Sequence, residues 1–325
     1  MHDIEENNAF YFGKPAWHGL GVTLEEHIDT REAALIAYAG RHLIELELKA
    51  HLEDTDETMD IDTHKAIVRS DGELLGVVGS GYTLIQPEEA FDFFQPWLDS
   101  GLVTLEAGGS LRNGTRLWAL AAIKNSEEPI VGNDTVKSYC LVYTSFDGSL
   151  AHGIGQTNVR VVCNNTLQFA DQIDADSIVR FKHTKNLKSR IDNVKQDIDR
   201  RLAKHHNSVL MYRQLAEKKM ERKEQELYIE DVFITKQMKE KAIEEKKPIS
   251  TKTLNKVQTV QDLIDNQRGL ELVPATRETA WQAYNAVTEY LTHDAGNGDD
   301  SRLNAQWFGG NRAVNSRALE LALAA

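Results

Sequence analysis

Ala66-Ile67-Val68-Arg69-Ser70-Asp71-Gly72-Glu73-Leu74-Leu75-Gly76-Val77-Val78 reads as two apolar runs folded back on each other about a tight turn. Branched side chains suit a pleated, half-buried surface. Asp71-Gly72 is one of the dipeptides favoured in two-residue hairpins, where both central residues need positive φ. The same grammar recurs downstream. Leu102 to Leu111 and Arg116 to Ile123 flank Asn113-Gly114, and Val136 to Phe146 runs into Asp147-Gly148 ahead of a strand at Asn158 to Cys163. Hairpins spaced this closely predict a mainly antiparallel sheet. Between the first two, Pro87 to Leu98 reads as a helix with proline in its first turn and Ala90, Phe91, Phe94 and Leu98 on one face, suited to cover the sheet. The fold class is α+β.

Outward from this core the chain changes character. Residues 10–21 mix aromatics with glycine and proline and read as a loop or extended arm. Thr30 is placed as the N-cap of a short helix carrying Ala33, Ala34, Ala37 and Tyr38. Thr184 is placed as the cap of a long helix, with Leu187, Ile191, Val194, Ile198, Leu202, His205, Val209 and Tyr212 recurring at a mean of about 3.6 residues. Beyond Leu215 the pattern thins into a charged arm over 213–247, with an interruption expected near Tyr228 to Thr235, and Pro248 ends the next helix. Thr276 is expected to cap a helix with Trp281, Tyr284, Val287 and Leu291 on one face, before a terminal helix over 313–323. Three consecutive parts follow: an α+β core with its arm at 1–183, a basic and charged helical segment at 184–247, and a helical region at 248–325.

Of the 325 residues 41% are hydrophobic and 27% charged, the composition of an ordinary globular protein. Charges interrupt every apolar run before it reaches the roughly 18 residues of a membrane span, so no membrane partner is expected. The first residues, Met1 to Glu6, are acidic where a signal peptide is basic, and the expected location is the cytoplasm. Cys140 and Cys163 sit in apolar strand-like stretches and read as buried thiols, without the paired spacing of a zinc site. Net charge is −13, but unevenly spread. Residues 1–157 carry a net −16, the remainder +3, and residues 180–223 alone +9. Such asymmetry points to a polyanion partner, with a solvated helix surface as the competing reading.

Two constellations carry chemistry. Cys163 with His152 or His183 as base has the residue types of a nucleophilic enzyme, though core thiols are the commoner reading. Alternatively, Asn164, Asn165 and Thr166 cap a short helix after the strand, and its N–H groups together with Arg160 hold a phosphate. The basic stretch enlarges that second site: Arg180, Lys182, His183, Lys185, Lys188, Arg190, Arg200 and Arg201 bracket an amphipathic helix and the strand before it. Phe12, Trp17 and Tyr143 are the aromatics available to stack bases. The glycine-rich stretches lack the order of a phosphate loop or dinucleotide fingerprint, and His205-His206, as helix neighbours, diverge too far to share a metal. No cofactor or metal is predicted.

Arg160-Val161-Val162-Cys163-Asn164-Asn165-Thr166-Leu167 followed by His183-Thr184 resembles the signature of a phage- and plasmid-type family known as a domain of unknown function. Matches at Trp17-His18-Gly19-Leu20-Gly21, Gly81-Tyr82, Asp147-Gly148-Ser149, Trp281 and Trp307-Phe308-Gly309 spread the likeness over most of the chain. The resemblance implies a mobile-element setting and supplies no catalytic residues. The functional expectation is a single-stranded-DNA-binding protein of the strand-annealing recombinase kind, assembled as a homo-oligomer. The alternatives are an enzyme using Cys163 with a histidine on a nucleotide-type substrate, and a non-catalytic host-interaction protein whose 213–247 arm mediates assembly.

Overall fold

The computed structural model describes residues 8–12, 21–161, 165–167, 179–186, 198–296, 305 and 309–325, with the backbone alone for 165–167 and 198–204. In chain order these form β1 (Ala9–Phe12), β2 (Val22–Leu24), α1 (Thr30–Ala37), β3 (Leu43–Leu52), β4 (Glu57–Arg69), β5 (Leu74–Gly79), α2 (Pro87–Phe91) and α3 (Gln95–Asp99). Strands β6 (Val103–Leu111), β7 (Arg116–Ile123), β8 (Glu128–Val131), β9 (Asp134–Ser145), β10 (His152–Arg160), β11 (Asn165–Leu167) and β12 (Val179–Phe181) follow. The rest is helical: α4 (Ile198–Glu217), α5 (Arg222–Phe233), α6 (Lys236–Glu244), α7 (Thr251–Asn266), α8 (Ala280–Glu289) and α9 (Gly310–Ala324). The architecture is α+β. No helix among the described residues is long and apolar enough to cross a membrane.

The chain divides into two compact units that are not consecutive in sequence. The first gathers residues 1–124, 139–156 and 178–199, the second 125–138, 157–177 and 200–325. The three-part division expected from sequence follows composition, whereas the units follow strand pairing, and β9 and β10 contribute residues to both.

In the first unit the expected hairpins are present. Gly72 has φ 93° and its N–H donates to the Arg69 carbonyl, closing the β4–β5 turn, while the Arg69 guanidinium holds the Asp71 carboxylate at 2.9 Å. The β6–β7 turn has positive φ at Arg112, Asn113 and Gly114, and the Tyr38 hydroxyl donates to the Gly114 carbonyl at 2.7 Å. The large sheet runs β11-β10-β9-β7-β6-β1-β2, with β8 on β9 and β12 on β10, and β3-β4-β5 form a sheet of their own. Two boundaries differ from expectation. Asp29, not Thr30, caps α1, accepting from the Glu32 N–H at 2.8 Å. The single helix expected at 87–98 is α2 and α3 joined by a 3-10 turn at Asp92–Phe94, because Pro96 has no N–H to continue the helical ladder. Phe91, Phe93, Phe94 and Trp97 are buried there.

The second unit packs α4, α5, α7, α8 and α9 around Tyr212, Ile229, Val260, Trp281, Tyr284, Val287 and Leu319, each at most 1% exposed. The charged arm expected over 213–247 does not exist as an arm. Chain direction breaks at 218–221, where Lys219 bridges to Thr279, and α5 then returns into the core with Tyr228, Ile229, Val232 and Phe233 buried. Its apolar residues recur every three or four positions inside the charged run, so the charges occupy one face and the core takes the other. Only α6, which buries no residue, keeps the solvated character expected. The helix of 280–289 is capped by Thr279 and not by Thr276, which lies in the preceding 3-10 turn, and the expected face Trp281, Tyr284, Val287 and Leu291 is fully buried.

Candidate nucleic-acid interface

β12 is an edge strand of three residues. It pairs antiparallel to β10 through His152↔Phe181, Gly153↔Arg180 and Ile154↔Val179. Strand alternation sends successive side chains to opposite faces. Phe181 and, just beyond the strand, His183 turn inward and are buried, while Arg180 and Lys182 are exposed, as is Lys185 in the turn that follows.

The inward residues anchor the row. The His183 ring lies 4.5 Å from Tyr82, nearly parallel to it. Its Nδ1 is 3.0 Å from the Thr83 carbonyl and its Nε2 3.3 Å from the Thr144 hydroxyl. Burial pushes the ring below the usual histidine range, the Thr83 carbonyl opposing it. A neutral ring fits both contacts: Nδ1–H donates to the carbonyl and Nε2 accepts from the hydroxyl. The Thr83 N–H in turn donates to the His183 carbonyl at 3.1 Å, clamping the segment from its backbone. His183 therefore positions Arg180 and Lys182 and is not a phosphate ligand itself.

His152 is fully buried, and neither ring nitrogen has a hydrogen-bond partner among the described residues. Burial, with His183 adding to it, pushes its pKa down to about 3. A ring enclosed in this way is out of reach of a solvent-borne substrate, and the two nitrogens of His183 are already engaged. Cys163, read as a buried thiol and in the alternative as a nucleophile with these bases, lies outside the described residues, as do Asn164, Lys188, Arg190 and Trp17. Cys140 is buried and its thiol donates to the Gly155 carbonyl at 3.4 Å.

Three expected site residues belong elsewhere. Arg160 is 0% exposed, and its guanidinium is bidentate on Asp134, with Nε 2.8 Å from Oδ1 and Nη2 2.7 Å from Oδ2. Trp281 Nε1–H donates to the same carboxylate at 2.7 Å, and the guanidinium carbon lies 5.7 Å from the Trp281 ring centroid. Arg160 is thus a closed ion pair in the second unit's core, withdrawn from any phosphate. Asn165 begins β11, pairing with Arg160 in register, so the helix cap expected at 164–166 is replaced, from Asn165 on, by a strand. Tyr143 is 3% exposed and its ring crosses Gly153 so closely that a Cβ there would meet Tyr143 Cζ at 2.0 Å. It packs the sheet and offers no base a face. Phe12 is half-buried and stacks on His27, centroids 3.7 Å apart. Thr184 sits in a bend, and helix α4 is described from Ile198, with Arg200 and Arg201 helical in backbone.

Within the second unit a cleft of about 730 Å³ is lined by Lys252, Asn255, Lys256 and Thr259 of α7, by Asp294 and Asn311, and by Phe233 and Tyr290. The spacing 252, 255, 256, 259 was a readable signal of one helix face, but α7 itself was not recognised from sequence. Among the described residues no three His, Cys, Asp or Glu side chains gather as a metal site.

The described residues define an α+β protein in which a mainly antiparallel sheet, with one parallel pair at β1–β2, carries a short cationic edge and a helical bundle is closed by a buried Arg–Asp–Trp cluster. The chain belongs to the family described as a domain of unknown function, DUF932, which matches residues 74–320. No curated protein and no solved structure matches the chain.

Proposed function

We propose that the chain binds single-stranded DNA along the outer row of the β12 edge, as an annealing protein of a mobile element does. The observation that carries the reading is the division of the 179–185 segment. Arg180, Lys182 and Lys185 face solvent while Phe181 and His183 fix the backbone beneath them. Cations displaced at two-residue spacing along an extended strand suit the phosphates of an extended polynucleotide. Asp134 neutralises Arg160, whereas among the described residues no carboxylate pairs with Arg180 or Lys182. The net +9 of residues 180–223 within a chain of net −13 supports a polyanion partner for this stretch. Annealing needs no catalytic group, in keeping with the enclosed state of His152 and the engaged nitrogens of His183.

Fluorescence anisotropy with labelled single-stranded and duplex oligonucleotides of equal length, each at low and high salt, tests the reading. Binding that favours the single strand and weakens steeply with salt supports it; absence of binding at low salt refutes it.

A further inference from the structure

The β3-β4-β5 sheet has two unlike faces. Residues directly opposite on antiparallel strands share a face. The pairings Ile44↔Val68, Leu46↔Ala66 and Leu48↔Ile61, continued by Ala50↔Met59 toward the tip and Ala66↔Val77 across to β5, make one aliphatic row. Ala66 in the middle of the row is covered at 5% exposed, and around it the longer side chains are left open: Leu46 is 46% exposed, Met59 55%, Leu74 57% and Val77 50%. On the opposite face Ile67 and Val78 are buried.

β5 pairs with β4 only over His64 to Val68, so from Leu48 to Ile61 the sheet is a two-stranded ribbon. Such a ribbon is marginal in water without cover. The open aliphatic area is roughly 600 Å², at the top of what an ordinary monomer leaves exposed in one patch. Two such faces closed on each other remove roughly 1,200 Å², above the ~1,000 Å² that a specific interface needs.

The rim selects the occupant. Glu53, Asp54, Asp56 and Glu57 at the ribbon tip are all exposed, which repels nucleic acid and anionic lipid. The row itself carries no charge from Ile44 to Ala50 and their partners Val68 to Met59, so it is complementary to itself under a two-fold axis. We propose that this face closes on the same face of a second copy, sheet against sheet, making the chain a homodimer. The contact is aliphatic at its centre and acidic at its edge. Salt therefore tightens it by screening the rim, the opposite of its effect on phosphate binding.

Sedimentation equilibrium of the full chain at low and high salt is the test. The expected result is a species of twice the 36.6 kDa chain mass whose dissociation constant falls as salt rises. Leu46→Thr with Val77→Thr keeps strand-forming side chains and, since both positions are half-exposed, an unchanged circular dichroism spectrum, but weakens association by about tenfold or more. Met59→Lys, on the exposed ribbon, gives the same loss should the double variant fail to fold. Ile243→Thr, 79% exposed on α6, leaves association unchanged. A wild-type monomer at both salts, dimers that weaken with salt, or face variants that associate like wild type would each overturn the proposal.

Discussion

Arg160 and Arg180, two arginines on strands that pair within one sheet, meet opposite ends. Arg160 closes β10, a strand whose residues are almost all buried, and a carboxylate and an indole complete its surroundings. Arg180 lies on β12, an edge strand with one partner, and points to solvent. Residue type is the same in both. What separates them is the position of the strand in the sheet and the presence of a matched acid, and that difference divides buried, paired cations from exposed ones in this chain.

The contrast breaks most visibly at Arg160. Arg160→Ala leaves Asp134 buried without its counter-charge and should destabilise the fold by about 3–5 kcal/mol. Replacing the pair, Arg160→Met with Asp134→Leu, should cost less than the single change, because no buried charge is then left alone. Urea unfolding checks both, and a single variant as stable as wild type would show that the ion pair does not hold the core.

Next comes Gly153, the register partner of Arg180 on the buried strand β10. A methyl at Gly153 meets the Tyr143 ring at 2.0 Å, so Gly153→Ala should cost roughly 1–3 kcal/mol by overpacking, with Tyr143→Leu restoring part of it. Thermal melts of the three variants separate packing from any effect on ligand.

The histidines beneath the cationic row give the chain a pH dependence of defined sign. His152 is held down to about 3 in the folded state against 6.5 when exposed, so the unfolded chain takes up the proton first as pH falls. Stability is then complete above about pH 6.5 and is lost progressively toward pH 3, with about 2 kcal/mol gone at pH 5 from this group. His183, shifted in the same direction, adds to the loss. His152→Leu removes a buried ring that has no hydrogen-bond partner among the described residues, so it should be neutral or stabilising at pH 7 and should flatten the pH profile between 7 and 5. A profile unchanged in that variant would place the titration elsewhere.

Much of the frame was legible because its causes are local. Gly72 and Asn113-Gly114 supply the positive φ that their turns need, although at the first turn Gly72 alone takes it and not Asp71 as expected, and the Trp281, Tyr284, Val287 face follows from one helical period. The interleaved units were not legible, since they depend on which distant strands pair. Arg160 was misread for the same reason: its partner Asp134 lies on another strand and its cover, Trp281, far along the chain. Asn165-Thr166 has cap chemistry, but pairing with β10 overrides it. Of the candidate interface, the alternation of Arg180 and Lys182 was readable; the anchoring of His183 by Thr83, Thr144 and Tyr82 was not, because none of these is near it in sequence.

The smallest structural effect accompanies the largest functional one. Arg180→Ala with Lys182→Ala should shift stability by less than about 0.5 kcal/mol, since both side chains are exposed. Their work, on this account, is done on phosphates. The direct test is the slope of log affinity against log salt for a single-stranded oligonucleotide, measured for wild type and for this double variant. Each phosphate neutralised contributes a slope of about −0.7, so losing the two cations should flatten the slope by about one to two units and weaken binding alike for all sequences. Binding that persists in the double variant with an unchanged slope would contradict the account and leave Arg180 and Lys182 as guards of a sheet edge.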